Sequence, residues 1–197
     1  VVVLQPTSPI GAFGPLPTGA PTGSPQPLSC DTAPQMPFTP LWQNVVRVRE
    51  LLRCPVGELQ QVSGVFQTFE YGYMFWRESD RSIFVISDST IRQGQESDAW
   101  WRVEDTYAEG EPDSDPEIVP PEGLRQPIRG FGKVWRQNGF IRGAVGWATS
   151  DEITYASLWQ GFENGWMMTA PGDAPIFVMI PTDDFPYSGG IHLGPMP

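Results

Sequence analysis

The sequence predicts an α+β, β-dominated fold: two helix-plus-β-hairpin repeat units packed together, with an extended Pro-rich N-terminal arm and C-terminal tail. Three observations carry that expectation. Phe69-Glu70-Tyr71-Gly72-Tyr73-Met74 returns 93 residues later as Phe162-Glu163-Asn164-Gly165-Trp166-Met167. Trp42 maps onto Trp135, Phe66-Gln67 onto Trp159-Gln160, and Ile83 to Ile86 onto Ile176 to Met179 at the same offset. Aromatic and β-branched runs bounded by turn residues follow a helix-like spacing in the first copy. Self-similarity at a fixed period marks a supersecondary unit that buries its apolar face against a neighbour, which favours a scaffold or binding module over an enzyme.

Residues 1–38 form the expected arm. The first 40 residues hold ten prolines and one charge, Asp31. Proline fixes φ and removes an N–H donor, so an extended polyproline-like path is expected. The first module spans 39–103. Thr39-Pro40 reads as a helix N-cap and first turn, and Leu41, Val45, Val48 and Leu52 recur at steps of 4, 3 and 4, giving one amphipathic helix that stops near Arg53 before Pro55. Val65 to Trp76 is read as one strand, with Gly72 as a bulge or close backbone approach, and Ile83 to Ile86 as its hairpin partner. In that strand Tyr71 and Tyr73 share a face with Phe69 and Phe75.

An acidic, Pro-rich linker is expected at 104–126, where eight of the nineteen residues from Glu104 to Glu122 are acidic. The second module, 127–182, opens at Ile128, turns at Gly143 to Gly146, runs through a strand from Trp159 to Met168 and closes through Pro171-Gly172-Asp173 into Ile176 to Ile180. Residues 183–197 are expected as a Gly/Pro-rich tail.

A formal charge of −11 repels phosphate backbones and anionic lipid, so no nucleic-acid partner is expected. No segment approaches the length of a membrane span. Lys133 is the one lysine beside eleven arginines, which suggests cations used in planar pairs and aromatic stacks. Cys30 and Cys54 permit a disulfide tying the arm to the first module, the alternative being two unrelated thiols. Two thiols without clustered histidines make no metal site, and no cofactor is expected.

The second unit carries Ala144-Val145-Gly146-Trp147-Ala148-Thr149-Ser150-Asp151-Glu152 followed by Trp159-Gln160-Gly161-Phe162-Glu163-Asn164-Gly165; the first carries Cys54-Pro55-Val56-Gly57 and Phe66 to Gly72. This pattern resembles the LGFP repeat of bacterial cell-envelope proteins. The resemblance implies a non-catalytic module of surface or secreted proteins that helps hold a protein to the envelope. Val stands for the repeat's Leu twice, and Glu58-Leu59 replaces the aromatic-Pro step in the first unit.

Repeat-motif positions with a structural role are Trp42, Gly57, Phe69, Glu70, Gly72, Trp135, Gly146, Phe162, Glu163 and Gly165. Glu70 and Glu163 could flank a glycosidic bond as a catalytic pair. Equivalent positions in duplicated units offer similar environments and do not split two proton affinities, so they are assigned instead to backbone hydrogen bonds or to arginine. His192, near Ser188, lacks a nucleophile-elbow context and is expected as a solvent-facing tail residue. Asp113-Ser114-Asp115-Pro116-Glu117, Asp151-Glu152 and Asp183-Asp184 are read as solvated acid before calcium ligands. Tyr71, Tyr73, Trp100, Trp101, Trp147 and Trp166 are the rings that could contact a ligand or partner, with Trp76 and Trp159 as further ring candidates; packing is the competing use.

The expected function is therefore that of a non-catalytic extracellular or cell-surface structural protein. Its modules and arm would mediate self-assembly or attachment to other envelope components, by strand addition or polyproline docking. The alternative is a glycan-binding module with an aromatic platform that takes polysaccharide, and the outlier is an envelope-polysaccharide hydrolase.

Overall fold

The computed structural model describes residues 28–88, 99–172, 175–182 and 189–196. Most of the predicted arm, Ser188 and Asp183-Asp184 lie outside them. The described residues form α1 (Phe38–Asn44), α2 (Val46–Leu52), β1 (Pro55–Phe69), β2 (Gly72–Arg77), β3 (Ser82–Ser87), β4 (Ala99–Glu104), α3 (Arg129–Gln137), α4 (Gly139–Val145), β5 (Ile153–Phe162), β6 (Gly165–Thr169), β7 (Ile176–Thr182) and β8 (Gly189–Met196).

The eight strands close into one antiparallel barrel in the order β1-β2-β3-β4-β8-β7-β6-β5. This overturns the expected pair of helix-plus-hairpin units packed together. Each half does run helix, helix and four strands, and the elements recur close to the 93-residue offset. But neither half closes on itself. The halves meet along β1–β5, with pairs such as Pro55 with Phe162 and Phe66 with Ile153, and along β4–β8, from Ala99 with Ile191 to Trp101 with Gly189.

The helices explain why separate units fail. Phe38, Leu41, Trp42, Val48 and Leu52 of α1 and α2 pack on Met167, Ile176, Val178 and Ile180, which belong to the other half's β6 and β7. Phe131, Val134, Trp135, Ile141 and Val145 of α3 and α4 cover Met74, Ile83 and Val85 of β2 and β3. Those strands are apolar on both faces, so each needs a cover outside as well as a filled barrel inside. The cover comes from the opposite half.

Backbone hydrogen bonds lock the exchange. Asn164 N–H donates to Leu52 and Glu163 N–H to Cys54, while Tyr71 N–H donates to Val145 and Glu70 N–H to Trp147. The end of each helix pair thus clasps the hairpin turn of the other half. Trp42 Nε1 donates to the Arg53 carbonyl at 2.8 Å and Trp135 Nε1 to the Gly146 carbonyl at 2.7 Å, which fixes the turn after each helix pair. Arg53 (φ 63°) and Gly146 (φ 74°) make that same turn, at a strain that only the glycine escapes.

Several local expectations are corrected. The single helix from Thr39 is two, because Val45 is extended (φ −104°, ψ 96°); Asn138 makes the equivalent break (φ −118°, ψ 93°). Thr39 does not cap, since its hydroxyl donates to the Pro34 carbonyl, and the helix starts at Phe38. The strand expected from Val65 to Trp76 is interrupted by a turn at Glu70-Tyr71, and Trp159 to Met168 by one at Glu163-Asn164, so the Glu-x-Gly phrase is a hairpin turn and no bulge. Phe69 then packs on the outer face while Tyr73 and Phe75 point inward. The part of the expected C-terminal tail that is described, Gly189–Met196, is β8, which completes the barrel between β4 and β7. The acidic 104–126 stretch is tied down as well, with Lys133 Nζ bound to Glu111 at 2.7 Å and Gln126 holding Asp115 N–H at 2.7 Å. Cys30 and Cys54 form a disulfide.

Candidate functional site: the aromatic mouth of the barrel

Alternation along the strands sends one set of side chains into the barrel. Phe66, Phe75, Phe84, Trp100, Trp159, Met168 and Phe177 fill it, so the interior is a packed core and no channel. At the end that carries the β5–β6 turn, the filling stops short. A cavity of about 500 Å³ remains there, lined among others by Trp100, Trp159, Trp166, Arg77, Arg102 and Gln60.

Its floor is a cluster of rings. Trp159 and Trp166 stack with centroids 5.9 Å apart and planes 10° off parallel, and Trp100 meets Trp166 edge-on at 5.0 Å. Trp100 Nε1 is spent on the carbonyls of Ile180 and Ile191 at 3.3 and 3.1 Å, which fixes that ring. The buried Nε1 atoms of Trp159 and Trp166 have no partner among the described residues. Trp166 is the partly exposed ring of the three.

The rim carries two arginines, Arg77 and Arg102, and one carboxylate, Glu58. The Arg77 guanidinium lies 5.0 Å from the centroid of Phe84 and 5.1 Å from that of Trp159, a cation–π bracket. Asp80, on the β2–β3 turn, holds both rim arginines: Arg77 Nε donates to it at 2.8 Å and Arg102 Nη2 at 2.6 Å, while Arg102 Nε donates to Ser82 Oγ at 2.8 Å. The hydrogen bond from Arg77 holds the Asp80 carboxyl well below the usual carboxylate range, against a smaller opposing effect of burial. Because the folded-state value is depressed, Asp80 stabilises the fold above its ordinary pKa of about 4 and loses that contribution as pH falls below it. Asp80→Asn is expected to cost about 1 kcal/mol at pH 7, and the gap between the two chains in urea melts should close as the pH is lowered toward 2. An unchanged gap at acid pH would show that charge is not what Asp80 contributes.

Comparisons with protein-family models, with curated proteins and with solved structures return no match. The site is therefore judged on its chemistry.

Of the six rings expected to contact a ligand, Trp100 and Trp166 come together at the mouth. Tyr73 lies inside the barrel, 5.7 Å from Phe66 and 5.2 Å from Phe177, where burial and the nearby Asp88 push its hydroxyl pKa up. Trp101 faces outward onto Phe140 at 5.6 Å, Trp147 packs on Trp135 at 4.9 Å, and Tyr71 sits in the β1–β2 turn. A single flat platform of all six does not form. Gly57 lies where the β1–β5 register shifts, between Val56 and Gln60, on the edge of the mouth.

Glu70 and Glu163 stand at opposite ends of the barrel, since β1 and β5 run antiparallel. Glu70 Oε2 accepts the Trp147 N–H at 2.8 Å, and Glu163 Oε2 accepts Arg53 Nε at 2.7 Å. Phe69 and Phe162, just before them, are buried. His192, expected in solvent, is buried on β8, where its Nε2–H donates to the Ser87 carbonyl.

Arg77, Asp80 and Arg102 escape a reading of the sequence. The arginine-rich composition signals stacked and paired guanidiniums, but no local pattern says which ones. One signal is available in the offset itself: Arg77 and Trp166 fall opposite Ala170 and Tyr73 of the other half. The framework is shared between the two ends of the barrel, and the Arg and Trp lining belongs to one.

Proposed function

We propose that this chain is a non-catalytic, extracellular glycan-binding module whose barrel mouth takes a sugar ring. The observation that carries this reading is the conjunction of the partly exposed Trp166 ring, backed by Trp159 and Trp100, with a hydrogen-bonding rim around a cavity of about 500 Å³. A sugar presents apolar C–H faces that stack on indole and hydroxyls that pair with guanidinium and amide groups at its edge. Arg77 and Arg102 are pre-positioned by Asp80, so little ordering is lost when a ligand arrives. The non-catalytic part is supported by the two glutamates, which are committed to the clasps at opposite ends. The extracellular part is supported by the Cys30–Cys54 disulfide, and the LGFP-like segments favour the same setting. No helix among the described residues is long and apolar enough to cross a membrane.

Titrating soluble oligosaccharides, beginning with chito-, xylo- and gluco-oligomers, should quench tryptophan fluorescence saturably with at least one of them. Trp166→Ala and Arg102→Ala should each weaken that binding roughly tenfold or more, and no reducing ends should be released. Binding that survives both substitutions, or no binding by any of the oligomers, removes the basis for this assignment.

A further inference from the structure

A second recess lies on the outer wall of the barrel and shares no lining residue with the mouth. Glu152, in the stretch between α4 and β5, stands where two cavities meet. One, of about 250 Å³, is lined by Val65, Trp76, Tyr107 and Phe131 together with Asp105 and Arg129; the other, of about 390 Å³, is lined by Gln67 and Thr154 together with Arg125, Arg129 and Asp151. The backbone leading to Glu152 is tied to β1, because Ser150, two residues before it, accepts Gln67 Nε2 on its carbonyl at 2.9 Å and Thr68 N–H on its hydroxyl at 3.2 Å.

The carboxylate itself has no hydrogen bond or close ion pair among the described residues. Its charged neighbours are already engaged. Arg129 leans on Asp113 at 3.7 Å, Arg125 pairs with Asp151 at 2.8 Å, and Asp105 takes the Tyr107 N–H at 3.0 Å with Arg81 at 3.7 Å. Burial pushes the Glu152 carboxyl above its ordinary pKa, and the attraction of Arg129 does not cancel that effect. A half-buried carboxylate whose nearest charges are Arg129, attractive, and Asp113, repulsive, with neither in hydrogen-bond contact, is left open to a closer cationic partner.

We propose that Glu152 anchors an alkylammonium group, of the size of a lysine side chain, whose methylenes lie along the Val65, Trp76 and Phe131 wall. An ammonium supplies the missing charge and donors, and its alkyl stem suits an apolar and aromatic lining. A metal ion would need more ligands, and no group of three His, Cys, Asp or Glu able to hold one exists among the described residues. The net charge of −11 draws cations toward the chain from any side. The recess is separate from the mouth, so the two assignments stand or fall independently.

The test uses the full chain labelled with 15N and titrated with n-butylammonium and with Nα-acetyl-lysinamide at fixed ionic strength. The expected result is saturable shifts of the Trp76 indole N–H and of the Gly130 and Phe131 amides with both probes. E152Q should weaken binding at least tenfold, E152D less, with Tm unchanged or raised by roughly 2 °C because a desolvated charge is removed. Saturation by the lysine amide alone points to a protein side chain as the natural occupant; saturation by both leaves free amines as well, and either result supports the ammonium site. Linear shifts, equal affinity for neutral n-butanol, undiminished binding in E152Q, or an E152Q chain that is less stable than the parent would each overturn it.

Discussion

Replacing Gly165 by alanine is expected to lower the stability of the protein by roughly 2–4 kcal/mol, visible as an earlier midpoint in denaturant melts. Gly165 opens β6 at φ 152°, and a Cβ built there would lie 2.1 Å from the backbone oxygen of Met179 on β7. That oxygen belongs to a paired strand and has nowhere to go. Gly72 opens β2 at φ 157° and would bring its Cβ to 2.0 Å from the Ile86 oxygen, so Gly72→Ala should cost as much. Gly143 supplies the control: it lies inside α4, a Cβ added there would meet nothing within 4 Å, and Gly143→Ala should be neutral or gain up to about 1 kcal/mol. If the strand-opening variants melted with the parent, the register of β2–β3 and β6–β7 described above would be wrong.

Cutting the chain once, through a protease site placed between the exposed Glu122 and Gly123, should leave both pieces in one particle. Two independent units joined by a linker would separate after such a cut. Here the first piece holds β1 to β4 and the second β5 to β8, and every closure of the barrel joins the two. The helix pairs strengthen the junction, because each covers strands of the other piece. Such an interface resembles a domain core divided in two, so the fragments should co-elute in size exclusion at about 1 μM and part only in denaturant. Separation in plain buffer would show that the cross-half contacts are too weak to define the fold.

Much of the local order is legible in the residues alone. The runs Ile83 to Ile86 and Ile176 to Ile180 are short, apolar and bounded by turn residues, and both are strands buried on two sides. Two-sided burial is also what hides the architecture. A strand such as β3 shows no polar face, so its pattern gives no sign of what lies on either side. Nor does any residue announce that α1 and α2 belong over β6 and β7, since the partner hairpin lies more than a hundred residues away. The turns at Glu70-Tyr71 and Glu163-Asn164 are concealed by aromatic and β-branched neighbours on both flanks, which make two strands look like one. As for the mouth, Trp100 and Trp166 stand out as ring candidates, but Arg77, Asp80 and Arg102 act through a geometry that only the closed barrel creates. Glu152 reads as solvated acid for a similar reason: its burial comes from β1, β2 and α3 converging on it.

The two lines along which the halves meet are unequal. Along β1–β5 the ladder runs from Pro55 to Phe66, whereas β4 and β8 share three pairs, from Ala99 to Trp101. Amide protons at the shorter zip should exchange with solvent soonest, and any transient opening of the wall begins there. Trp100 stands on that shorter line, so the ring floor of the mouth is mounted beside the part of the cylinder most able to breathe, and the proposed sugar would enter without disturbing the long ladder opposite.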